Sequence, residues 1–156
     1  MKNAWYHTNF MLLWGIYAVW EICYFVVGIF AEVFKISENM WQPIDGALDT
    51  FNTWLFFIVL IYSIFARNYP VFIRKIRDDY PKITIYLECL GAYTIISFIL
   101  MAWLMIGWLA CYHFDLAEAL KHIAVWHVYA LIGCNIAGYF AAIGYATYQN
   151  YYITDK

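Results

Sequence analysis

Residues 83–112, ITIYLECLGAYTIISFILMAWLMIGWLACY, and residues 119–148, ALKHIAVWHVYALIGCNIAGYFAAIGYATY, decide the fold. Each run exceeds the ~20 apolar residues a helix needs to cross a bilayer. Backbone polar groups in hydrocarbon are satisfied only inside helices or closed barrels. These runs are too long and too uniformly apolar for barrel strands, which alternate over about ten residues. The pair therefore reads as a helical hairpin in lipid, closed by a polar corner from His113 to His122.

Composition carries the same reading to the rest of the chain. Residues of hydrophobic type make up 65% and charged residues only 13%, against about 25% charged in a soluble domain. A water-soluble fold of this size could not hide that much apolar surface. The net charge of −2 argues against nucleic acid, which calls for a basic patch. Two further apolar runs, 9–33 and 47–66, complete four spans and leave no room for a separate soluble domain. Residues 1–156 are read as a single transmembrane domain with spans at about 9–33, 47–66, 83–112 and 119–148.

The segments between spans set the expected topology. Residues 34–46 read as a loop, with Pro43 and Asp45-Gly46 as turn signals. Residues 67–82, RNYPVFIRKIRDDYPK, place Phe72, Ile73, Ile76 and Tyr80 on one helical face and Arg74, Lys75, Arg77 and Asp78 on the other. That pattern suits a short helix in the headgroup plane; docking to a soluble partner is the alternative. The segment holds Arg67, Arg74, Lys75, Arg77 and Lys82, five of the nine basic residues. The positive-inside rule then makes it cytoplasmic, with both termini on the same side. The expected fold is an all-α integral membrane protein: an antiparallel bundle of four transmembrane helices with a short cytoplasmic amphipathic helix between spans 2 and 3. A bacterial inner membrane or its equivalent is the expected location. The N-terminus lacks the basic region and cleavage site of a signal peptide, so the first span is expected to be retained.

Polar residues inside the apolar runs are the candidate functional groups. Glu21 lies at the centre of the first span, with Tyr17 and Tyr24 at helical spacing. A charge at that depth costs several kcal/mol unless protonated, paired or hydrated. It reads either as a proton or cation relay or as a protonated carboxyl bonded to tyrosine hydroxyls. Asn135, midway along the fourth span, needs a hydrogen-bond partner on another helix and is grouped with Glu21 as a proton or ion path. Glu88, two turns into the third span, is expected to pair with Lys82 or interfacial water. Asp49 reads as a capping or dipole carboxylate at a helix start. Cys23, Cys89, Cys111 and Cys134 lie in apolar runs without a CxxC pair and read as small buried hydrophobes.

The corner offers His113, Asp115, Glu118 and His122. The last three stand three and four apart, on one stripe of a helix beginning near Asp115. Imidazole with carboxylates suits Cu, Fe or Zn. Helix capping accounts for Asp115 and Glu118 without a metal. His127, about 140° round a helix from His122, reads as a satisfied core histidine or as a contact to haem, copper or quinone. A haem held by this chain alone lacks a second histidine on a facing span, so one shared with another subunit is the form such a site would take.

The fourth span also carries small residues at Gly133, Ala137, Ala141 and Gly144, and a second line at Cys134, Gly138 and Ala142. Small residues four apart let helices approach closely. The open point is whether the partner helix belongs to this chain. No nucleotide loop or hydrolase motif is present.

Three functions follow as expectations. The first is a non-catalytic membrane subunit of a larger multisubunit assembly, of respiratory or other redox type, docking through the fourth span. The second is an oligomeric ion or proton transporter using Glu21. The third is a membrane redox component holding metal, haem or quinone through residues 113–127. The expected partners are the lipid bilayer and other membrane subunits.

Overall fold

The structure, a computed structural model, describes residues 8–65 and 71–153. Arg67 of the basic segment lies outside the described residues. The chain is helical, and among the described residues four helices are long and apolar enough to cross a membrane.

The first, α1, spans Asn9–Val33, as its apolar run predicts. Thr8 is extended, and its hydroxyl accepts from the Met11 amide at 3.2 Å, an N-cap that satisfies one orphan donor. At the other end Lys35 takes a left-handed φ of 49°. Its amide donates to the Glu32 carbonyl at 3.1 Å, and that of Ile36 to Ala31 at 3.0 Å. This is a Schellman closure with lysine where glycine is usual.

The second, α2, spans Glu38–Phe65. It starts nine residues before the expected 47, so the loop shrinks to the turn before Ser37. The Ser37 carbonyl accepts from Met40 at 2.9 Å and Trp41 at 3.0 Å. Glu38 stands in the first turn, where a carboxylate complements the helix dipole. Pro43 is inside the helix; it lacks only its own N–H bond, and the helix runs through it. Asp49 is therefore three turns inside α2 and is not a cap, as the later helix start had implied.

A nine-residue helix, α3, spans Val71–Asp79, and α4 follows at Pro81–Cys111 with proline at its start, where the missing amide costs nothing. At ~1.5 Å per residue α4 is about 46 Å long, beyond the ~30 Å hydrocarbon core. It closes as α1 does: the His113 amide donates to Ala110 at 3.2 Å and that of Phe114 to Leu109 at 2.8 Å. His113 and Phe114 have φ of 54° and 62°.

The fourth apolar run is broken. A short α5 spans Leu116–Lys121, and α6 begins only at Val125 and runs to Tyr148. One π-helical turn, Gln149–Ile153, ends it. The polar His122 and the extended Ala124, φ −84° and ψ 149°, separate the two helices.

The long helices pack in the order α2, α1, α4, α6, with the α1–α4 contact the most extensive. Among the described residues α2 and α6 do not approach each other. Two glycines explain the closeness of the central pair. A Cβ on Gly15 would fall 1.8 Å from the Leu87 carbonyl oxygen, and one on Gly91 would fall 1.9 Å from that of Met11. The backbones touch where both side chains are missing, which is how helices gain dispersion contact in lipid. Above this crossing Leu12, Leu13, Trp14 and Tyr17 form the core with Val59 and Ile73. Trp14 meets Phe56 of α2 and Phe98 of α4 edge-on, with centroids 6.1 and 5.7 Å away. By contrast, Val59 is the one buried residue of α2 and Ala146 that of α6.

Candidate functional site

Glu21 stands on the α1–α2 seam, half-buried. The Tyr17 hydroxyl, one helical turn away, donates to its Oε1 in a short hydrogen bond. The Asn52 amide of α2 donates to the same oxygen at 3.0 Å. The Asn52 carbonyl in turn accepts from Trp20 Nε1 at 3.1 Å. One asparagine thus bridges two α1 side chains through its donor and its acceptor ends. Both bonds to Glu21 fall on Oε1. Tyr24, the second tyrosine of the sequence reading, lies within electrostatic range of Glu21, Asp45 and Asp49. Asp45, Asp49 and Asn52 share one face of α2 by spacing. Asn52 was not singled out as a partner from the sequence, because its link to Glu21 spans 31 residues.

Asn135 is satisfied across the α4–α6 seam. Its Oδ1 accepts from the Tyr93 hydroxyl at 3.1 Å and from Ser97 at 3.4 Å. Tyr93 lies against Gly138, where a Cβ would sit 2.1 Å from its hydroxyl oxygen. Hydroxyl pairs continue the seam: Thr94 with Tyr139 at 3.2 Å and Tyr86 with Thr147 at 3.0 Å. The Asn150 amide donates to the Lys82 carbonyl at 3.2 Å. Glu21 and Asn135 thus belong to two different seams.

Glu88 is 1% exposed and pairs with Arg77 of α3, itself 34% exposed. The bond is short. The sequence reading, which looked to neighbouring Lys82 or interfacial water, did not name Arg77 as a partner. Arg77 is four residues after Ile73 and so shares the inward face of α3, whereas the sequence reading placed it among the outward charges.

At the corner, three of the four candidate metal ligands, Asp115, Glu118 and His122, have local work. Asp115 caps α5, its Oδ1 accepting from the Glu118 amide at 3.1 Å. Glu118 meets Lys121 at 2.9 Å and His122 at 3.4 Å. Lys121, and after it His122, hold its carboxyl below the ordinary 4.5. His122 stacks on Tyr112, 4.9 Å between centroids and 10° between planes. His113 is exposed in its left-handed turn. Among the described residues no group of three or more His, Cys, Asp and Glu is disposed to hold a metal ion.

His127 lies in the first turn of α6, not deep in a span. Its Nδ1 accepts from the Ala124 amide at 3.1 Å, and its ring packs against Trp108 and Trp126. With Nδ1 accepting, the neutral ring carries its hydrogen on Nε2. A side-chain cap of a helix start accounts for this residue.

The small residues of α6 divide into two lines. Gly138, Ala142 and Ala146 turn toward α4, half-buried or buried. Gly133, Ala137, Ala141 and Gly144 are exposed, and a Cβ at Gly133 or Gly144 would meet nothing within 4 Å. An open apolar groove of about 280 Å³ runs between the helices, lined by Ala92, Tyr93, Ile96, Gly138 and Ala141 among others.

Comparison with family models, curated proteins and solved structures finds no match to this chain.

Proposed function

We propose that the chain is an integral membrane subunit of a larger assembly, joined to its neighbours through the outer face of α6. The observation that carries this is the outward position of Gly133, Ala137, Ala141 and Gly144. The chain's own helix is served by the other small-residue line, so the exposed one is spare in the isolated subunit. Close helix approach through such a line is how membrane subunits gain contact when lipid removes the hydrophobic drive. Extraction in mild detergent is expected to yield a particle containing other chains. A stable, active, lone 18.5 kDa protein overturns the proposal.

Within it consecutive spans run antiparallel. The pairings 86–147, 94–139 and 108–127 between α4 and α6, and 20–52 and 14–56 between α1 and α2, support that order. Helix α3 is read as an interfacial helix, with Phe72 exposed beside Arg74 and Lys75, and its basic residues support a reading with it and both termini on the cytoplasmic side.

A second reading is favoured by the bonding of Glu21. Both donors use Oε1, which leaves Oε2 to carry a proton or meet a cation in an oligomeric transport protein. Flux in proteoliposomes is then expected to vanish in Glu21→Gln, and unchanged flux removes Glu21 as the carrier group.

A further inference from the structure

We infer that α5 lies in the lipid boundary at the end of the bundle opposite α3, with Leu116, Leu120 and Ile123 against the acyl chains and Glu118, Lys121 and His122 turned to water.

The helix has two unlike sides. Steps of four and three put Leu116, Leu120 and Ile123 on one stripe. The turn persists that far, because the Ile123 amide donates to the Leu120 carbonyl at 3.2 Å. Glu118, Lys121 and His122 fall on the opposite side, where the Glu118 carboxylate meets both of the others. Ala119, on the flank between the stripes, is 1% exposed. Leu116 and Leu120 are 58% and 56% exposed, so the fold itself does not cover them.

Trp108 fixes the depth of α5. Its Nε1 donates to the Ala119 carbonyl at 3.1 Å, and it stands three residues before Cys111, the last of α4. A helical side chain leans toward the helix N-terminus, so the indole reaches no farther out than its own turn. Its ring also meets His127, in the first turn of α6, with centroids 5.3 Å apart. Helix α5 therefore lies level with the last turn of α4 and the first of α6, not beyond them. The left-handed residues His113 and Phe114 turn the chain back to that level.

At that level the spans themselves present an apolar surface, with Ile106, Val125 and Trp126 exposed. The α5 stripe ends at Ile123, two residues before Val125, and continues this lipid-facing surface. Amphipathic helices rest at the boundary of headgroups and acyl chains with such a face inward. A partner protein does not fit the stripe on its own: it has three side chains, against about 20–30 residues a side in a specific interface. The inference rests on the four spans lying in lipid, and not on what docks to α6.

The test is spin-label depth measurement in phosphatidylcholine nanodiscs. Leu116→Cys, Glu118→Cys, Leu120→Cys, Lys121→Cys and Ile123→Cys are made singly, with the exposed Cys23, Cys111 and Cys134 replaced by alanine. Access of oxygen, which enters lipid, relative to a water-soluble nickel chelate is expected to be several-fold higher at 116, 120 and 123 than at 118 and 121. The three apolar positions are expected to read about 5–10 Å into the boundary. Equal access of the nickel chelate to all five positions overturns the inference, because α5 then stands in water. Shielding of the three from both relaxants overturns it too, because protein then covers them. Should a labelled chain fail to fold, the wild type is photolabelled by phosphatidylcholine carrying a carbene precursor just below its headgroup. Adducts on Leu116, Leu120 and Ile123 are expected, and their absence while Val125 and Trp126 are labelled overturns the inference.

Discussion

Two sets of glycines do opposite things in this molecule. At Gly15 and Gly91 the missing side chains are filled by the backbone of the facing helix, under 2 Å from where a Cβ would be. At Gly133 and Gly144 the same absence faces open space. Both sets lie in apolar helices and look alike in the sequence. The difference teaches that a small residue in a membrane helix reserves room for a backbone without saying whose. In the first set the room is taken within the chain; in the second it is open.

Substitutions break or sharpen this comparison. Gly91→Leu or Gly15→Leu must push α1 and α4 apart. A loss of about 3 kcal/mol or more is expected, the upper end of overpacking, read as a lower midpoint in detergent-solubilised thermal unfolding. Tyr93→Phe keeps the ring over Gly138 and removes the bond to Asn135. An interhelical hydrogen bond in a membrane is worth about 0.6 kcal/mol, so a small drop in the same midpoint is expected. Gly133→Leu and Gly144→Leu are expected to change stability by less than about 0.5 kcal/mol, yet to strip partner chains from the extracted particle on sedimentation. If they unfold the chain as Gly91→Leu does, the two sets are not different in kind.

The smallest effect belongs to the corner. The carboxyl of Glu118 is more acidic in the folded chain than when unfolded, held so by Lys121 and then His122. Its contribution is present above the ordinary 4.5 and is lost as pH falls below that value. Because the group is solvent-exposed, a slight acid-side increase in amide exchange of α5 is the expected signal, without global unfolding.

What the sequence made legible follows how local each signal is. The bounds of α1 were readable because Thr8 and the end of the apolar run sit beside the helix they limit. The Tyr17–Glu21 contact was readable for the same reason, being one turn apart. The start of α2 was misplaced because Pro43 and Asp45-Gly46 outweighed Ser37-Glu38, although a proline removes only one helical bond. The break at His122–Ala124 was hidden in an apolar run, where hydropathy does not report backbone direction. Helix-to-helix links such as Asn52 to Glu21, Arg77 to Glu88 and Gly15 to Gly91 depend on which faces meet. No spacing within one segment encodes that.

The length of α4 has a mechanical outcome. A rod of about 46 Å in a layer of about 30 Å must lean or stand proud, and its angle shifts when the layer thins or thickens. Its neighbour α1 is locked to it at a glycine contact with no slack, and the outer helices ride on those two. Bilayer thickness therefore acts as a lever on the whole assembly of rods, with Gly15 and Gly91 as its fulcrum.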